Sequence, residues 1–299
     1  MANLKEIRTR IASVKSTQQV TSAMKMVSAA KLRKAQDAIV QMRPYADKLN
    51  EILTGISSNP DSEVDNKYAG RKTKENILII AITSNRGLCG GFNSNVIKKA
   101  AELAGQKLKD YQRQPKIDVV AIGKKAVDGL KAKGIKTTRN YLEIYDNLSF
   151  AVVSEIAQWV MDLYADGSYD HVELIYNQFK NAAVQDLVSE QFLPVEISKV
   201  VTKQTGSRKK EFQNDYIFEP SLQKIVSDII PQSLKIQFYK AMLDSVASEH
   251  GARMTAMHKA TDNASVIIRE LKLKYNKARQ ASITNEILEI VSGANAMKS

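Results

Sequence analysis

Residues 32–56, LRKAQDAIVQMRPYADKLNEILTGI, decide the architecture. Leu32, Ala35, Ile39, Met42, Ala46, Leu49, Leu53 and Ile56 alternate steps of three and four, the narrow apolar seam of a coiled coil. The apolar register continues through Pro44, so that proline kinks the helix at most. Upstream, Leu4, Ile7, Ile11 and Val14 keep the same rhythm; after a polar patch at 16–19 the reading continues on Val20, Met24 and Val27. A helix from Leu4 to about Ile56 would be roughly 80 Å long. The other end mirrors it. From Ser221 to Val291 only Pro231 and Gly251 interrupt, and Met257, Ala264, Leu271 and Ala278 fall seven apart, flanked by Met254, Ile268 and Tyr275. Two helical ends around a globular middle predict an antiparallel pair, with Met24 level with roughly residues 275–290. The first turns of the last helix, around 222–243, then pack on the globular part.

The middle alternates strands and helices. Asn76–Thr83 reads as a buried strand, Ser94–Asp110 as a helix and Lys116–Ile122 as a second strand. Gly123 opens a short helix that Gly134 ends, before a third strand at Ile135–Asn140. A helix at Ser149–Tyr164, with Trp159 on its apolar side, precedes a strand at His171–Gln178 and an extended edge at Leu187–Ile197, beside Pro194. This order predicts the α/β class: a Rossmann-like α/β head with a long antiparallel coiled coil formed by the N- and C-terminal helices. The divisions are 1–57 for the first helix, 75–200 for the head and 221–299 for the last helix. Ser57–Lys74 reads as a polar connector and Thr202–Asn214 as a loop.

Composition narrows the function. No apolar run approaches the ~20 residues of a membrane span. The single cysteine, Cys89, excludes an intramolecular disulfide, and no Cys/His cluster has metal-ligand spacing. The net charge is +12, with Lys5, Arg8, Arg10, Lys15, Lys25, Lys31, Arg33 and Lys34 crowding the start and Lys272, Lys274, Lys277 and Arg279 near the end. Such charge is a solvated face or the footprint of an acidic partner. The start is basic, amphipathic and Ser/Thr-rich like a presequence, but its helical pattern runs on, so it is read as mature protein.

Residues 86–93, RGLCGGFN, follow a buried strand and precede a helix, where α/β proteins bind phosphates. The loop matches neither common phosphate-loop pattern, and the better reading is a tight turn with positive φ at its glycines. Cys89 has no nearby histidine to activate it. His171, His250 and His258 are scattered, and no carboxylate pair has an acid/base setting. Three functions remain: a mechanical subunit, a nucleic-acid-binding coiled coil and an α/β enzyme. Aromatics are only 6%, against the interleaved aromatics of nucleic-acid binders. The enzyme lacks its phosphate loop. The mechanical subunit has its shaft.

Residues 4–11, LKEIRTRI, and 22–27, SAMKMV, resemble the first helix of the γ subunits of F-type ATP synthase. RGLCGGFN resembles that family's head loop. Ser248-Glu249, Ala252-Arg253-Met254 and Ala260-Thr261-Asp262-Asn263-Ala264 resemble the middle of its last helix, and residues 275–294, YNKARQASITNEILEIVSGA, its C-terminal signature. The resemblance implies a rotor shaft inside an α3β3 hexamer, coupling proton flow to ATP synthesis or hydrolysis. Its implied partners are the α, β and ε subunits and the membrane c-ring, without nucleic acid, cofactor or catalytic residues of its own. It implies a peripheral place on the cytoplasmic side of a bacterial inner membrane. Met24, Lys25, Arg279, Gln280, Thr284, Glu286 and Glu289 match the family's positions for coupling with β and are expected at one level of the shaft. The inserted cysteine pair of chloroplast members is missing, which excludes their redox switch.

Overall fold

The computed structural model describes residues 4–57, 67–68, 70, 76–109, 116–195 and 222–297. Most of the expected connector (57–74), all of the expected loop (202–214) and the end of the expected last strand lie outside them. The elements are α1 (Leu4–Ser57), β1 (Asn76–Ile82), α2 (Phe92–Lys109), β2 (Lys116–Ile122), α3 (Lys124–Ala132), β3 (Thr137–Tyr141), α4 (Phe150–Ala165), β4 (His171–Phe179), β5 (Gln185–Leu193) and α5 (Leu222–Ala296). The chain divides into two compact units, residues 30–252 and residues 1–29 with 253–299.

The larger unit holds a five-stranded sheet in the order β3-β2-β1-β4-β5. The first four strands are parallel and β5 is antiparallel to β4. A central parallel strand is covered on both faces, which is why β1 reads as an unbroken apolar run. Its alternate residues serve two cores. Leu78, Ile80 and Ile82 join Val120, Val153, Val160, Leu174 and Phe238 on one side; Ile77, Ile79 and Ala81 join Val96, Ala100, Val119 and Leu130 on the other. The first turns of α5 pack as expected: Ile230, Leu234, Phe238 and Ala241 enter the first core, and Phe238 meets Phe192 edge-on at 5.6 Å. β5 is an edge strand, and Pro194 follows its last residue.

Several boundaries differ from expectation. β1 ends at Ile82, the last residue in register with β2, at Ile122. α2 starts at Phe92, two residues early, because Asn95 N–H already bonds Gly91 O at 3.0 Å. β3 is Thr137–Tyr141, not Ile135–Asn140: Ile135 N–H still bonds Leu130 O in the turn that closes α3.

In the smaller unit α1 and α5 pair along a heptad seam. On α1 the seam runs through Leu4, Ile7, Ile11, Val14, Gln18, Thr21, Lys25 and Ser28, all half-buried or buried. On α5 it runs through Met257, Thr261, Ala264, Ile268, Leu271, Tyr275, Ala278 and Ser282. The expectation that Val20 and Val27 lie on it fails. They are 56% and 57% exposed, whereas Thr21 and Ser28 are 9% and 3% exposed.

Candidate functional site

The loop after β1 is a closed structure. The first N–H groups of α3, the helix after β2, are donors of the general kind that helix N-termini offer to anions. Here Lys124 N–H donates to Asn85 Oδ1 (2.9 Å), Lys125 N–H to Ser84 O (3.1 Å) and Ala126 N–H to Thr83 Oγ1 (2.8 Å). Gly123 lets the strands come this close: its φ is +93°, and a Cβ there would lie 2.4 Å from Thr83 O. Across the β1–β4 crevice, where the strand order reverses, Asn177 Nδ2 donates to Phe92 O (3.2 Å). Asn93 accepts from Ser84 N–H (2.9 Å) and donates to the buried Cys89 Sγ (3.2 Å). Positive φ falls on Gly90 as expected, but also on Leu88 and not on Gly87 or Gly91.

One buried carboxylate stands out. Asp244, on α5, is 6% exposed. Burial pushes its carboxyl up to about 6; Lys240 and Arg43 oppose the rise and Glu190 adds to it. Glu190 is itself engaged, accepting from Tyr176 Oη (2.8 Å) and Gln237 Nε2 (3.2 Å).

The coiled-coil residues singled out from the sequence form two groups. Cross-helix hydrogen bonds fix the register: Gln18 Nε2 donates to Ser265 Oγ (2.7 Å), the Thr21 and Thr261 hydroxyls share one (2.8 Å), and Lys25 Nζ lies 3.5 Å from His258 Nδ1. Met24 and Lys25 are therefore level with His258, not with residues 275–290. Arg279 is 21 positions farther along α5, about 30 Å away. Carried down the helices, the register brings Leu4 level with Arg279. Gln280, Thr284, Glu286 and Glu289 lie beyond, exposed on α5 with no described α1 residue opposite. There Thr284 Oγ1 bonds back to Gln280 O (2.9 Å), and Ser282 Oγ donates to Glu286 Oε1 (3.3 Å). The expectation of one level is thus replaced by two.

Beside Lys25, His258 Nδ1 also lies 3.4 Å from Asp262 Oδ2. Sequence reading missed Gln18, Thr21, Thr261, Ser265 and His258. The signal was there: the three–four rhythm from Ile11 and Val14 runs through Gln18, Thr21, Lys25 and Ser28 to Leu32 and Ala35 without a break.

A Rossmann-like sheet on a chain whose end helices pair through a heptad seam defines an α/β protein with a coiled coil. The family model described as ATP synthase matches residues 3–297. The ATP synthase gamma chain of Christiangramia forsetii is 56% identical over 99% of both chains, and that of Flavobacterium psychrophilum 55% over 100% of both. Among solved structures, a chain of the Tetrahymena thermophila mitochondrial ATP synthase central stalk/c-ring superposes with a TM-score of 0.57, at 26% identity over 81% of this chain and 99% of that one. A chain of the Euglena gracilis mitochondrial enzyme shares the fold, with a TM-score of 0.65 at 23% identity over 98% of this chain and 94% of that one. The chain belongs to the ATP synthase gamma-chain family, the central-stalk subunits of the F1 rotor. No helix among the described residues is long and apolar enough to cross a membrane.

Proposed function

We propose that this chain turns inside an α3β3 hexamer and passes torque between that hexamer and a membrane c-ring, with the ε subunit beside it. It couples proton flow to ATP synthesis or hydrolysis and carries no catalytic residue of its own. Residues 1–57 and the later part of 221–299 serve as the coiled-coil shaft, 75–200 as the head, and the base of the 221–299 helix packs on the head. Its place is peripheral, on the cytoplasmic side of a bacterial inner membrane, without nucleic acid. The observation that carries the reading is the division of labour across the paired helices. Seam groups satisfy one another across the helices, while exposed polar groups line the outer surface. Exposed pairs are each worth roughly 0–1 kcal/mol, so such contacts break and re-form easily as a shaft turns.

Met24 and Lys25 then meet β at one height; Arg279, Gln280, Thr284, Glu286 and Glu289 meet the hexamer about 30 Å away along the shaft. Met24→Lys places a second cation beside the half-buried Lys25. In complexes reconstituted with α and β and the membrane sector, ATP hydrolysis should persist while proton pumping per ATP falls several-fold. Equal loss of both activities, or of neither, removes the coupling role from Met24.

A further inference from the structure

The smaller unit is polar inside where Met24 and Lys25 stand. Between residues 18 and 28 of α1 and 257 and 265 of α5, the only buried apolar side chains are Met257 and Ala264, each still 5% exposed. Thr21 and Ser28 fill the heptad position that Ile7 and Val14 hold nearer the start of α1. A seam this thin in large side chains does little to resist axial slip by packing alone. What it has is directional. Gln18 Nε2 reaches Ser265 Oγ, whose own proton goes to Thr261 O (3.0 Å). One turn on, a single hydrogen bond joins the Thr21 and Thr261 hydroxyls. One hydroxyl donates across; the other donates back to its own helix, Thr21 to Gln18 O (3.0 Å) or Thr261 to Met257 O (2.8 Å). A slip of one heptad, about 10 Å, would set Thr21 against Ile268 or Met254 and strand the Gln18 amide. Polar groups at coiled-coil seams specify register at a cost in stability.

We propose that Gln18–Ser265 and Thr21–Thr261 are positioning pairs. They hold α1 and α5 in register so that Met24 and Lys25 form one composite contact face with His258 and Asp262. The face is composite because one atom, His258 Nδ1, lies within 3.5 Å of both Lys25 Nζ and Asp262 Oδ2, groups from different helices. Its coupling role rests on the reading of Met24 and Lys25 given above; the register lock is this inference's own.

The test uses the reconstituted complex with the pair Thr21→Val and Thr261→Val, the rescue pair Thr21→Ser and Thr261→Ser, and Met24→Lys as a control. Valine keeps the volume and removes the hydroxyl; serine keeps the hydroxyl. The valine pair should leave the chain's melting temperature unchanged or higher, yet lower proton pumping per ATP hydrolysed several-fold. The serine pair should match the parent in coupling. A merely structural role would instead lower melting temperature and coupling together in the valine pair, and that result overturns the proposal. Parental coupling in the valine pair also overturns it when Met24→Lys still uncouples. If Met24→Lys leaves coupling intact, the failure belongs to the contact reading.

Discussion

The sheet unit and the paired-helix unit solve the same problem with opposite means. Around the sheet, two apolar cores are filled to zero exposure, at Leu78, Ile80 and Phe238 on one side and Ile79, Val96 and Leu130 on the other. The place where backbones crowd most, beside Thr83, is opened by a glycine. Along the helix pair the central seam is held by hydroxyls and an amide, with the apolar Val20 and Val27 turned outward. Close packing is strong and indifferent to direction, so it suits a body that must stay whole. Hydrogen bonds contribute little net stability but define geometry, so they suit a part whose alignment matters more than its melting temperature.

Gly123→Ala strikes the packed unit hardest. The new Cβ would meet the Thr83 carbonyl at a φ reserved for glycine, and about 3 kcal/mol or more should be lost. Urea unfolding followed through Trp159, the chain's single tryptophan, reads it. Wild-type stability would show that this corner yields as the helix pair does.

Asp244 gives a smaller effect with a definite sign. Its folded carboxyl, raised to about 6 by burial, keeps a proton that the unfolded chain gives up nearer 4. Stability therefore falls as pH rises between these values and stays lower above them. Asp244→Asn should stabilise by about 1–3 kcal/mol near pH 8 and by almost nothing near pH 4. An equal change at both pH values would mean that packing, not charge, sets the cost.

Val20→Ser should be the mildest, within about 0.5 kcal/mol, because the side chain leaves no seam. A loss of about 2 kcal/mol would put Val20 back inside the helix pair and undo the contrast.

Much of the sheet was legible. The continuous apolar run of β1, the Gly123 and Gly134 stops and the apolar face around Trp159 are local signals, and they led to the right elements. The start of α2 was misplaced because Gly91-Phe92 carries no side-chain cap for a reader to find. Hydrophobicity drew the seam reading to Val20 and Val27, although spacing alone pointed to Thr21 and Ser28. The level of Met24 was unreadable for a deeper reason. A pattern that repeats every seven residues fits several offsets of its partner equally well. Only pairs such as Gln18–Ser265 choose among them, and they become visible when both helices are in place.

The overhang of α5 past Arg279 has a consequence for assembly. From Gln280 to Ala296 it is one helix, about 25 Å long and about 10–12 Å across; from Leu4 onward it is a pair of roughly twice that width. A bore that admits the narrow end stops the thicker part until its walls give way. The smaller unit is thus tapered among its described residues: its thin end enters a narrow bore first, and the start of the paired part limits how far it goes in.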